Sequence, residues 1–139
     1  MNNSASDIRT QLLSDLGDVT ELKQVVLGHT VELTGFPACR VYLSGIENEL
    51  LDNAPTQQRK YIYAIQIIQE QTAMAKATAE AAFEDAIDAT LDKLHSEWTM
   101  SGNAEVAFAD SGSINVEENV QGAGVSAIIL LEVTTFIDG

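Results

Sequence analysis

Arg59-Lys60-Tyr61-Ile62-Tyr63-Ala64-Ile65-Gln66-Ile67-Ile68-Gln69-Glu70 decides the fold of this chain. Its side chains alternate with a period of two, placing Tyr61, Tyr63, Ile65 and Ile67 on one face and Ile62, Ala64, Gln66 and Ile68 on the other. β-Branched and aromatic residues fit a pleated, packed surface, so the stretch reads as a strand. Both faces are largely apolar. At least one must therefore lie on helices, and the other is free to meet a neighbour.

On the N-terminal side, Phe36-Pro37 opens a second period-two run, in which Ala38, Arg40 and Tyr42 alternate with Cys39, Val41 and Leu43 until Ser44-Gly45 ends it. Ile46 to Gln58 reads as a connection with room for a short strand at its start, because Asn53-Ala54-Pro55-Thr56 is a turn signal. Ser6 to Leu16 is expected to be a short amphipathic helix. Ser6 or Asp7 is its N-cap, Ile8, Leu12, Leu13 and Leu16 its apolar face, and Gly17 its stop. Asp18 to Leu33 is mixed: Leu22, Val25, Val26 and Leu27 suit a helical turn, whereas Val31 and Leu33 alternate like a strand.

On the C-terminal side, Thr72 to Trp98 has no Gly or Pro, is rich in Ala, and puts Phe83, Ile87, Leu91, Leu94 and Trp98 on one stripe of a long helix. Glu80, Glu84, Asp88 and Asp92 recur on its opposite face at four-residue steps, like charges that weaken a helix unless solvated or met by a basic partner. Two more strands are expected, Ala104 to Ala109 and Val125 to Ile137. The Asp110 to Gly124 segment between them, with Gly112, Gly122 and Gly124, reads as a long loop, mobile in a free subunit and ordered on assembly. The expected architecture is one α+β domain over residues 1–139, an antiparallel sheet of about four to five strands with the short and the long helix packed on one face.

Composition limits what such a domain can do. With 21 acidic and 7 basic residues the formal charge is −14. The only adjacent basic pair is Arg59-Lys60, so phosphate-neutralising clusters are missing and tight nucleic-acid binding is disfavoured. A polar N-terminus without a basic and apolar leader, and no apolar run near the roughly 20 residues that span a bilayer, lead to the expectation of a soluble chain with no membrane partner. Lone Cys39 excludes an internal disulfide and suits a buried thiol.

Chemistry is hard to assemble from these residues. Asp92 and His95 stand three apart on a helix, as in carboxylate metal sites, but matching ligands on a second helix are limited to Asp7 and Asp15, so a solvated face is the expectation and no metal is assigned. His29 and His95 sit in no nucleophile signature, and Cys39 lies mid-strand. The glycines at 122 and 124 precede a strand rather than opening a helix, which argues against a phosphate loop. Arg59-Lys60 with Tyr61 and Tyr63 could imitate a stacking platform for single strands, although strand-start cations and packed aromatics describe them better. No enzyme activity and no cofactor are expected.

Taken together, the short first helix, Phe36-Pro37-Ala38-Cys39-Arg40-Val41-Tyr42, the acidic Ile46-Glu47-Asn48-Glu49, Arg59-Lys60-Tyr61-Ile62-Tyr63, the Ala-rich helix ending at Trp98 and the closing Leu130-Leu131-Glu132-Val133 resemble the tail terminator family of long-tailed bacteriophages. The resemblance implies a structural protein of the virion neck. It would be assembled in the host cytoplasm as a homohexameric ring that ends tail-tube polymerisation and contacts the tube protein and the head-side connector. DNA would pass through the lumen without specific binding. Glu47, Glu49, Arg59, Lys60, Glu117 and Glu118 are the candidate interaction residues. Another head-tail adaptor or head-closure protein, and a small α+β enzyme or ligand-binding domain, are the alternatives.

Overall fold

The computed structural model describes residues 5–28, 33–50, 57–70, 76–96, 106–119 and 122–137. Among them the order is α1 (Ala5–Gly17), β1 (Gln24–Leu27), β2 (Ala38–Leu50), β3 (Gln57–Glu70), α2 (Lys76–Ser96), β4 (Val106–Asn119) and β5 (Gly122–Ile137). The five strands form one sheet in the order β1-β2-β3-β5-β4, and the fold is α+β.

The strand read first from sequence, β3, is the middle strand. It pairs antiparallel with β2 through Val41–Ile65 and Leu43–Tyr63 and with β5 through Ile65–Ile129 and Tyr63–Leu131. Cys39, Val41, Tyr61, Tyr63, Ile65, Ile67, Val125, Ala127, Ile129, Leu131 and Val133 form the face of the core, against Ile8, Leu12 and Leu16 of α1 and Phe83, Ala86 and Leu94 of α2. At about 25 cal/mol per Å² of apolar surface, this layer dominates the stability. The other face carries Tyr42, Ile62, Gln66, Ile68, Ile128 and Leu130, all half-buried, and neither helix lies on it.

The sheet is mixed, which corrects the antiparallel expectation. Gln24–Leu27 forms a strand parallel to β2, with Val25 opposite Cys39 and Leu27 opposite Val41, so the helical reading of Val25 to Leu27 does not hold. Two β-branched residues favour the extended form. The Gln24 side-chain oxygen then accepts from the backbone N–H groups of Thr34 (2.7 Å) and Gly35 (3.2 Å), holding the connection to β2. Val31 falls outside the described residues.

Gly28 ends β1 with a φ of +70°, and its N–H donates to the Val41 carbonyl at 2.9 Å. A Cβ there would meet nothing within 4 Å, so only the backbone conformation resists substitution. Gly28→Ala is expected to cost about 1 kcal/mol from left-handed strain alone. Gly17 also has open space but no left-handed backbone, so Gly17→Ala is expected to be neutral or to stabilise by about 0.5 kcal/mol. Urea midpoints of the two variants read both signs.

Four element boundaries also change. α1 already includes Ala5, so Ser6 and Asp7 are helical rather than capping. β2 does not stop at Ser44-Gly45: the register shifts between Leu43 and Gly45, a bulge absorbs Ser44, and pairing with β3 continues to Leu50–Gln57. Most of Asp110 to Gly124 is strand rather than loop. β4 runs on to Asn119, with a register shift between Ala109 and Ser111, and pairs with β5 from Gly122 onward. Residues 110–119 and 122–124 are therefore strand, and residues 120–121 lie outside the described residues. On α2 the buried stripe is Ala79, Phe83, Ala86, Thr90 and Leu94, whereas Leu91 is 37% exposed. Small residues let this helix approach the sheet, and the buried Thr90 hydroxyl is satisfied by the Ala86 carbonyl at 2.7 Å. Trp98 and the helix ends at 72–75 and 97–98 lie outside the described residues.

Candidate functional site

β2 past its bulge pairs with the first half of β3, and this register gathers four of the six candidate residues at one end of the sheet. Glu47 stands opposite Lys60, Asn48 opposite Arg59 and Glu49 opposite Gln58. Adjacent residues of a strand point to opposite faces, so Arg59 and Lys60 do not form one basic patch.

Lys60 lies on the face without helices, where its Nζ is 3.9 Å from Glu132 Oε1. With Glu47, Asn48, Glu49 and Gln58 it lines a shallow concavity of ≈ 320 Å³. Arg59 lies on the helix side. Its guanidinium donates to Asn48 Oδ1 (3.0 Å), Gln57 Oε1 (3.1 Å) and the Tyr61 hydroxyl (3.4 Å), so these hydrogen bonds run along the sheet. Tyr61 and Tyr63 are 3% and 1% exposed. Aromatics buried to that degree cannot stack on bases, which removes the single-strand platform.

The other two candidates are elsewhere. Glu117 stands opposite Gly124, which in turn stands opposite Glu70. Glu70 is separated from Lys60 by roughly 33 Å of strand at about 3.3 Å per residue. The structure therefore splits the six residues into a mixed-charge cluster at one end and an acidic pair at the other. Sequence distance could not show this, because the β3–β5–β4 pairing that sets it is long-range.

A second concavity, also ≈ 320 Å³, opens beside the β2 bulge and is lined by Ala5, Arg9, Leu27, Gly28, Val41, Tyr42, Leu43 and Tyr63. The Tyr63 hydroxyl donates to the Ala5 carbonyl at 2.7 Å, tying the start of α1 to the middle strand. Burial pushes the Tyr63 phenol up to about 12, against a smaller lowering by Arg9. From this pocket three exposed apolar residues, Leu43 (42%), Ile46 (54%) and Leu50 (64%), follow β2 outward. Sequence reading missed this stripe because it treated Ile46 to Gln58 as a connection; the Ile46, Asn48, Leu50 spacing was the available signal.

The remaining candidate chemistry stays dispersed. Cys39 is fully buried, and burial pushes its thiol up to about 12, so it remains protonated and is no nucleophile. Asp92 and His95 are exposed on α2, Asp15 is buried beside Gln11 at 2.9 Å, and among the described residues no three metal-type side chains come together. His29 lies outside the described residues. Glu80, Glu84, Asp88 and Asp92 are all exposed, making the outer face of α2 an acidic wall.

No family model and no curated protein match this chain. Among solved structures, a chain of the virion of a native gene transfer agent particle is similar over 91% of this chain and 91% of that chain, with a TM-score of 0.43 and 11% identity.

Proposed function

We propose that the chain is a structural subunit of a phage-like virion, and specifically that it forms the ring that terminates the tail tube beneath the head. The observation that carries this reading is the sheet itself. Helices cover one face, the opposite face keeps Ile62, Ile68, Ile128 and Leu130 half-buried, and β2 beyond its pairing with β1 bears the exposed Leu43, Ile46, Leu50 stripe on the helix-side face. Apolar surface distributed over a face and an edge suits a subunit with neighbours better than a pocket suits a substrate. The sequence pattern resembling tail terminators gives the finer role, with six copies in the ring and contacts to the tube protein below and the connector above.

Charge fits that role. Subunits carrying −14 each, with an acidic wall along α2, would present to DNA a surface that repels phosphate and lets the genome pass without sticking. Light scattering across a concentration series, with electron microscopy of the heaviest fraction, tests the proposal. Rings of several copies are expected, each interface burying about 1,200 Å² or more. A strict monomer at every concentration, alone and with tail-tube preparations, would overturn it.

A further inference from the structure

Among the described residues β1 covers β2 only from Ala38 to Val41, so β2 from Leu43 to Leu50 has no strand on its outer side, and β4 is paired only with β5. One hydrogen bond fixes where the peptide groups of the β2 edge point. The Val41 carbonyl accepts from Gly28 on the outer side, so Val41, opposite Ile65, turns its polar groups away from β3. Opposed residues in an antiparallel ladder alternate between exchanging hydrogen bonds and turning outward. Ile46 opposite Tyr61, Asn48 opposite Arg59 and Leu50 opposite Gln57 fall in the same phase as Val41, the bulge having absorbed the extra residue. Their N–H and C=O groups therefore face outward along an edge that no Lys or Pro interrupts.

We propose that this edge receives the free edge of β4 from a second copy of the chain, so that the sheets of neighbouring subunits join into one continuous belt. Strand direction selects that occupant. β2 and β5 run one way and β3 and β4 the other, so copies related by rotation about an axis along the strands bring β4 antiparallel to β2. The two edges differ, so the contact repeats from copy to copy, as a ring requires, whereas β2 meeting β2 would stop at a dimer. β4, spanning Val106–Asn119, is long enough to cover the run from Leu43 to Leu50. Leu43, Ile46 and Leu50 lie beside this edge and lose their solvent exposure when a strand is added. The inference rests on the ring reading but adds which surfaces meet.

Residue-resolved amide exchange of the full chain, at concentrations below and above assembly, tests it. In the assembled form the Ile46, Asn48 and Leu50 amides should slow at least 100-fold. The Glu47 and Glu49 amides, which face β3, should be slow in both forms. Fast exchange at Ile46, Asn48 and Leu50 inside intact rings would overturn the edge contact and leave the ring reading standing. A monomer at every concentration would overturn both. Protection of these amides only after a different protein is added would assign the edge to that protein and likewise overturn the proposal. Asn48→Pro, which deletes one outward N–H and spares the β2–β3 ladder, should give a folded subunit that no longer forms rings, while Asn48→Ala, which loses only the Arg59 hydrogen bond, should still form them. Unchanged rings from folded Asn48→Pro would count against the proposal as directly as fast amides.

Discussion

Ile65→Ala should lower the unfolding free energy by about 4 kcal/mol, within the range of about 2–5 kcal/mol for emptying a well-packed aliphatic site. Ile65 is fully buried at the centre of the middle strand, opposite Val41 on one side and Ile129 on the other. Neighbours held in two strands cannot collapse into the space it leaves. Ile62, three residues earlier on the same strand, is half-buried on the face without helices. Ile62→Ala should cost only about 1 kcal/mol in a dilute, unassembled subunit, because part of that side chain is already in water. Denaturant midpoints at low protein concentration compare the two. Equal losses would mean that something covers both faces of the sheet in the free chain.

Alkaline pH should produce the second large effect. Burial raises the Cys39 thiol from its ordinary 9.0 to about 12 and the Tyr63 phenol from 10.0 to about 12. Both groups are neutral when protonated, and the fold disfavours their charged forms. Their contribution is thus complete below about pH 9, where the unfolded thiol begins to ionise, and is lost as pH rises toward 12. For Cys39 the difference is on the order of 4 kcal/mol, at about 1.4 kcal/mol per pH unit of separation. Urea midpoints between pH 8 and 11 should fall steeply for the natural chain. In Cys39→Ala the decline should begin about one pH unit later, when Tyr63 becomes the first of the two groups to matter. A flat profile in the natural chain from pH 8 to 10.5 would show that the thiol is not sequestered.

The first result depends on β3, and β3 was readable because its alternation is uninterrupted and its residues are strong strand formers. The segments misread from sequence have the opposite character. Ser44-Gly45 and Asp110 to Gly112 look like strand ends, yet each sits at a bulge where one extra residue is tolerated and pairing resumes. A bulge is stabilised by ladder contacts on both sides of it, and those contacts come from residues far away in the chain. Gly, Ser and Asn in β4 mask a faint period-two pattern at Ile114 and Val116, whose partners in β5 are Ala127 and Val125. In α2 the four-residue stripe suggested by the largest side chains differs from the buried stripe, because close approach to a sheet selects Ala79, Ala86 and Thr90 over Leu91.

The candidate site shows the same division. The residue types were legible: a basic pair and an acidic stretch. Their grouping was not. Glu47 and Lys60 became neighbours through the β2–β3 register, Arg59 and Lys60 were separated by the pleat, and Glu117 was carried to the far end by β4.

By itself the sequence determined the apolar face of α1 and the alternation of β3, that the fold is α+β, and that charge weighs against binding nucleic acid, because periodicity and composition are local or additive properties. Only the tertiary structure decided that β1 runs parallel to β2, that two bulges extend β2 and β4, and that β2 from Leu43 to Leu50 has no outer strand among the described residues. Strand partners, direction and register are settled by which long-range pairing buries the most surface while satisfying the most peptide groups, and no single segment contains that information.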